Sequence, residues 1–202
     1  MSNTKDFTTA NAGSKEALFT TRIPGYRCPS ANGGDLNKFQ NNQSVMMYAL
    51  NNQIGPSGNA VSTATAISDI VDGTSNTLLM GEKSLMESPF LAIGASWAAG
   101  RACGTARISI VAAQCQMNTP FDGTWDAPNF CFLENSPTTL VSRASVASPH
   151  DGGAHMLMCD GAVRFVSENI NANPVTGSSG GSGNFTYQNL FNLNDKNAMG
   201  EF

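Results

Sequence analysis

The chain carries little charge: Lys, Arg, Asp and Glu make up 13% of its 202 residues, against roughly 25% in ordinary soluble domains. The formal net charge is −4, and Lys and Arg are nowhere clustered. That argues against nucleic acid or an anionic membrane surface as partner, because both attractions depend on concentrated cations. Long hydrophobic runs are missing as well. Leu78 to Met80, Ile108 to Ala113 and the Gly-broken Phe90 to Ala99 are the longest, far short of the roughly 18 residues of a membrane span. Met1 to Asp6 holds one Lys and no apolar segment follows, so no signal peptide is expected at this start. The cysteines form no C-x-x-C pair, which argues against a zinc ribbon, a thioredoxin motif and haem attachment. With only two His and no G-x-S-x-G elbow, a nucleophilic Ser or Thr has little support. No Gly-rich phosphate loop precedes a convincing helix, so nucleotide binding has none.

What is present is neutral polarity. Asn, Ser, Gly and Thr together make 77 of 202 residues, a surface of amides and hydroxyls. At about 150 residues per domain the length suggests one domain with at most a small appendage. A chain of this size buries enough apolar surface to fold without metal or disulfide. The five cysteines, Cys28, Cys103, Cys115, Cys131 and Cys159, read either as small buried hydrophobes or as one or two disulfides in an oxidising compartment. A Cys103–Cys115 bridge would stabilise by about 2–4 kcal/mol, and Cys131 is an equally legitimate partner. The polar surface favours a location outside the cytoplasm.

Along the chain, residues 1–21 read as a polar lead-in, with a short helix at Ser14 to Phe19. Ser44 to Asn51, Thr77 to Lys83, Ala92 to Ala99 and Arg107 to Ala112 have strand composition, and Ile67 to Asp72 suits a single helical turn. Residues 115–137 hold Pro120, Pro128 and Pro137 and read as a long irregular loop region. Its aromatics, Phe121, Trp125, Phe130 and Phe132, and the nearby Trp97 are expected to pack back on the sheet. An exposed sugar-binding platform is the alternative. Residues 174–184 are a Gly/Ser-rich flexible loop, and Tyr187 to Leu193 is apolar enough to dock.

The clearest local signal is Ala154 to Val166. Asp160-Gly161 between two apolar runs predicts a hairpin with a two-residue type I′ turn. That register pairs Met156 with Phe165 and Met158 with Val163, placing all four on the core face. His155, Leu157 and Arg164 then share the outward face.

His150, nine residues, then Asp160-Gly161 make H-x9-DG, inside a segment that also holds Gly152 and Gly153. Arg27-Cys28-Pro29-Ser30 forms a CPS block. Ile67 to Glu82 contains Asp72-Gly73-Thr74-Ser75-Asn76-Thr77 followed by Gly81-Glu82. Together these blocks resemble a bacterial family of pilin-like (pseudopilin-like, prepilin-type) secreted proteins of unknown function, over roughly residues 22–202. The resemblance implies an α+β fold, mainly antiparallel β, namely the globular head of a pilin-like protein. It also implies a prepilin leader and a long apolar N-terminal helix that anchors and packs the subunit. This chain shows no such helix, so it is expected to lack the main assembly element and to touch a membrane only through one.

The site residues are expected to be structural. The signature positions are Cys28, Pro29, Asp72, Gly73, Asn76, His150, Gly152, Gly153, Asp160 and Gly161. Asp160 is explained by its turn, and His150 by bonding backbone that lacks a ladder partner. Glu82 reads as a paired or solvated carboxylate. No catalytic residue and no cofactor are assigned. The resemblance keeps Ca2+ as an alternative, with Asp69, Asp72, Asp151 and Asp160 as candidates, though none has EF-hand spacing. The expectation is a non-enzymatic, extracytoplasmic assembly protein whose partners are other pilin-like subunits or copies of itself. A secreted glycan- or protein-binding module using the aromatic loop is the alternative.

Overall fold

The computed structural model describes residues 20–31, 33–37, 43–54, 65–86, 92–97, 110–113, 115–120, 123–126, 131–134, 144–173 and 184–197. Its strands are β1 (Leu36–Asn37), β2 (Gln43–Met46), β3 (Tyr48–Asn51), β4 (Leu78–Glu82), β5 (Leu85–Met86), β6 (Ala92–Ile93), β7 (Ala95–Ser96), β8 (Ile110–Val111), β9 (Gly123–Asp126), β10 (Cys131–Glu134), β11 (Gly153–Met158) and β12 (Val163–Ser167), followed by helix α1 (Thr186–Asn189). The main sheet has the order β12-β11-β4-β3-β8. All its pairs are antiparallel except β3 with β8. A three-stranded sheet, β1-β2-β7, and the pairs β9–β10 and β5–β6 complete the strands. Beyond these, the described residues hold the four residues of α1 and two 3-10 turns, Pro24–Tyr26 and Ile67–Asp69. The chain is therefore mainly β, with less helix than the α+β expectation. Among the described residues no helix is long and apolar enough to cross a membrane.

The two faces of the main sheet do different work. Strand side chains alternate between faces. Ala49, Ala154, Met156 and Val166 turn to one side and pack with Leu78, Val111, Val146, Tyr187, Leu190 and Phe191 into the principal core. The segment around α1 closes that core, and the Leu78 amide donates to the Leu190 carbonyl at 2.7 Å. Gly81 belongs to this side too, where an added Cβ would sit 3.0 Å from Val146. The opposite face carries Tyr48 and Glu82 as cross-strand partners, with Met80 beside Leu157 and Leu157 beside Val163.

Tyr187 is fully buried. Burial pushes its phenol well above the ordinary range, and the Cys115 thiol adds to the rise. A folded-state value above the unfolded one gives stability that is complete below about pH 10 and lost as pH rises through the folded value. Tyr187→Phe is expected to remove part of that alkaline loss, read as a flatter dependence of the urea midpoint on pH above about pH 9.

Four expectations need correction. The single strand over Ser44 to Asn51 divides at Met47. The Met47 amide donates to the Tyr26 carbonyl and its carbonyl accepts from Lys83, both at 2.8 Å, so the chain leaves one sheet for the other there. Residues 115–137 are not irregular throughout, since β9 and β10 pair within them. Cys115 is not disulfide-bonded, nor are Cys28 and Cys159, so the expected bridge from Cys115 is not formed in this structure.

The hairpin correction matters most. β11 and β12 pair with Met156 opposite Arg164, His155 opposite Phe165 and Leu157 opposite Val163, one residue out of the expected register. The loop is three residues long, because Met158 donates to the Ala162 carbonyl at 2.8 Å and Gly161 to the Met158 carbonyl at 3.0 Å. Gly161 alone takes positive φ there, at +90°, as in a type I turn followed by a left-handed bulge residue. Asp160 Oδ1 accepts the Ala162 N–H at 2.9 Å. A one-residue slip exchanges the faces of a strand. Val163 and Phe165 thus leave the core and stand 65% and 46% exposed. Nothing lies within 4 Å of a Cβ added at Gly161, so Gly161→Ala tests the backbone alone. A loss of about 1–2 kcal/mol in chemical denaturation is expected.

The lead-in helix at Ser14 to Phe19, the loop 174–183 and Cys103 lie outside the described residues, as do the side chains of Cys131, Trp125 and Phe132.

Candidate functional site

Three separate stretches of chain meet at the Glu82 end of β4. The first is the turn after Pro24–Tyr26. Arg27 holds it by donating to the carbonyls of Gly33 at 2.6 Å and Gly34 at 2.7 Å and by pairing with Asp35 at 3.1 Å. The Cys28 amide points at Met47 Sδ, 3.3 Å away, which fixes the thiol over the start of β3. The second is β4 itself, whose last residue is Glu82. The third is residues 144–150, which run beside the end of β4. There Ala147 donates to the Glu82 carbonyl at 2.9 Å and Ser84 donates to Ala147 at 2.8 Å. Pro149 then ends the pairing and His150 turns inward.

The side chains converge. Cys28 Sγ lies 3.4 Å from His150 Nε2, and Glu82 Oε1 lies 3.3 Å from that same nitrogen. Glu82 Oε2 accepts from the Ser148 hydroxyl at 2.7 Å and from the His155 amide at 2.9 Å. The Glu82 side chain is 2% exposed and that of His150 23%. His150 stacks edge-to-face on His155, and His155 on Phe165, with ring centroids 4.7 and 5.1 Å apart. The neighbouring Tyr48 phenol is raised above its ordinary value by burial, with the Cys28 and Glu82 charges adding to it.

These residues form one wall of a cavity of about 670 Å3. Its floor is the outward sheet face, with Tyr48, Met80, Leu157 and Val163. Its rim is Gly25, Tyr26 and Pro29. The register slip in β12 is what places Val163 here. A mostly apolar cavity with a few convergent polar groups has the character of a small-molecule site.

His150 therefore does not bond orphaned backbone as expected; its ring is engaged by a thiol and a carboxylate. It does not meet Asp160, whose carboxylate is occupied in the hairpin loop. The Ca2+ candidates are not drawn into one group. Asp69 Oδ2 accepts the Ala66 amide at 2.8 Å. Asp72 accepts the amides of Asp195 and Lys196 at 2.7 and 2.9 Å, clamping the C-terminal segment, and Asp151 is exposed. Among the described residues, the cluster of three ligand-type side chains is Cys28, Glu82 and His150. The remaining signature positions build turns. Asn76 Nδ2 donates to the Asp72 carbonyl at 3.1 Å, and Gly73 and Gly152 have φ of +92° and +78°. At Gly153 any Cβ would collide with the Val166 carbonyl. The sequence reading missed Glu82, His155 and Tyr48 as site residues. The cross-strand pairing of Tyr48 with Glu82 depends on a register that local sequence does not disclose.

The family described as protein of unknown function (DUF1559) matches residues 1–173. The chain belongs to that family. No curated protein and no solved structure matches it. Within this DUF1559 chain, the CPS block, the GE that ends β4 and the His of H-x9-DG supply one residue each to the cluster.

Proposed function

We propose that this DUF1559 chain is a non-enzymatic, extracytoplasmic protein, the β-rich head of a pilin-like subunit in a secretion or surface-filament system. The observation that carries the reading is the way the blocks behind the pilin resemblance are used. They bind one another. The hairpin tip donates from Cys159 to the Thr77 carbonyl at 2.8 Å and from Asp160 to the Thr74 carbonyl at 3.1 Å, tying H-x9-DG to the DGTSNT turn. The Glu82 carboxylate ties β4 to β11, and Cys28 reaches His150. Such residues hold a head together. A catalytic relay is not favoured, because thiol and carboxylate meet at the same imidazole nitrogen. A base and its orienting carboxylate occupy opposite ring nitrogens in a working triad. Among the described residues β12 is the outermost strand of the main sheet, and with Val163 and Phe165 exposed it offers a surface on which another subunit could pack.

Immunogold electron microscopy of native cells, combined with in-situ cross-linking, tests this. Label on envelope-associated assemblies and cross-links to like subunits are expected. A cytoplasmic distribution of monomers overturns it.

The cavity favours a second reading, a secreted binding module. Its pocket is then the Tyr48–Met80–Val163 cavity. Of the aromatic loop's neighbours, Trp97 spends its indole N–H on the Thr21 carbonyl at 3.2 Å.

A further inference from the structure

We propose that Cys28, Glu82 and His150 form a binding site for a Zn2+-class divalent ion, with the fourth coordination position left to the cavity. Four observations support it. The first is geometric. With Zn–S near 2.3 Å and Zn–N and Zn–O near 2.0–2.1 Å, tetrahedral coordination places sulfur and nitrogen about 3.5 Å apart and nitrogen and oxygen about 3.3 Å apart. The cluster has 3.4 Å and 3.3 Å for those two edges, and all three donor atoms lie within 4.8 Å of one another.

The second concerns protons. His150 Nε2 faces both a thiol sulfur and a carboxylate oxygen. One N–H serves one of them, whereas a cation on the nitrogen lone pair satisfies all three atoms together. The third is charge. A thiolate and a carboxylate around a divalent ion sum to zero, which suits a buried place where uncompensated charge is costly. The fourth is orientation. Ser148 and the His155 amide both hold Glu82 Oε2, leaving Oε1 turned to His150, as outer partners orient metal ligands.

The donor set selects the ion. Thiolate with imidazole suits Zn2+, while Ca2+ and Mg2+ require oxygen shells. Three protein ligands on a cavity wall leave room for water or for the anionic headgroup of a ligand whose apolar body lies against Met80, Leu157 and Val163. Loading displaces the Cys28 thiol proton, so uptake weakens as pH falls. Zinc uptake here stands independently of filament assembly, since failure of the cellular localisation test leaves it untouched.

The test uses the chain stripped with chelator, then titrated with ZnCl2 by calorimetry and with CoCl2 by absorption. One equivalent of Zn2+ is expected to bind, while Ca2+ does not. Co2+ should give a thiolate charge-transfer band and the visible bands of four-coordinate cobalt. Cys28→Ser should abolish the charge-transfer band. His150→Gln should weaken Zn2+ by more than the roughly 10–100-fold typical of losing an outer-shell partner. Cys159→Ser, away from the cluster, should change neither. X-ray absorption of the zinc-loaded wild type needs no variant and should show one sulfur at about 2.3 Å with nitrogen and oxygen at about 2.0 Å. No saturable one-to-one uptake by the folded chain, a zinc shell without sulfur, or a charge-transfer band that persists in Cys28→Ser would overturn the site.

Discussion

Glu82→Leu is expected to lower the stability of the metal-free chain by about 2–6 kcal/mol, since it leaves a hydroxyl and a backbone N–H without their acceptor at about 1–3 kcal/mol each. The side chain is 2% exposed and its two oxygens serve three groups: the Ser148 hydroxyl, the His155 amide and the His150 ring. Leucine fills a similar volume, so the loss is polar. An N–H and a hydroxyl are left without their acceptor. Glu82→Gln keeps one carbonyl oxygen for Ser148 and His155 and should lose markedly less. Urea denaturation of both variants in chelator measures this. Equal losses for Gln and Leu would mean that charge at this position, not hydrogen bonding, holds β4 against β11.

Asn51→Ala is expected to cost about 2–6 kcal/mol, since it leaves two buried carbonyls without a donor at about 1–3 kcal/mol each. The Asn51 side chain is fully buried at the end of β3. Its Nδ2 donates to the Leu78 carbonyl at 2.9 Å and to the Phe191 carbonyl at 3.0 Å, while Oδ1 accepts the Gln53 amide at 3.0 Å. One amide thus joins β3, the start of β4 and the segment after α1. The loss should show both in the urea midpoint and in earlier hydrogen exchange at Leu190 and Phe191. Asn52→Ala, at a half-buried neighbour, should stay within about 0.5 kcal/mol. Comparable losses at the two positions would remove the distinction drawn here between a buried staple and a turn residue.

The β character of the chain was legible locally. Thr77 to Lys83 contains β4, and the two apolar runs around Asp160-Gly161 contain β11 and β12. Apolar composition and a Gly able to take positive φ suffice for that. Register was not legible. The dipeptide Asp-Gly is compatible with a two-residue turn and with a three-residue loop, and these differ by one residue. Here the tip is also held from outside, by Thr74 and Thr77 of another block. That external bond helps select the wider loop and turns Val163 and Phe165 outward.

The site was half visible. Cys28 and His150 stood out because Cys and His are scarce and lie in punctuated segments. Glu82 did not, because a carboxylate at a strand end is normally solvated, and burial of this one follows from residues 144–150 folding over it. Asp160 was read as a turn residue, and its carboxylate accepts the Ala162 amide within the hairpin loop.

By itself, the sequence determined a mainly β chain with a turn at Gly161 and a docking C-terminal segment. Those features depend on composition and on φ preferences within a few residues. Only the tertiary structure decided which faces of β4, β11 and β12 are buried, and that Cys28, Glu82 and His150 share one point. The distances between them are set by strand register and by a crossing segment more than 60 residues away along the chain, as the 66-residue separation of Glu82 and Ser148 shows. Interactions over that span are written into no local pattern.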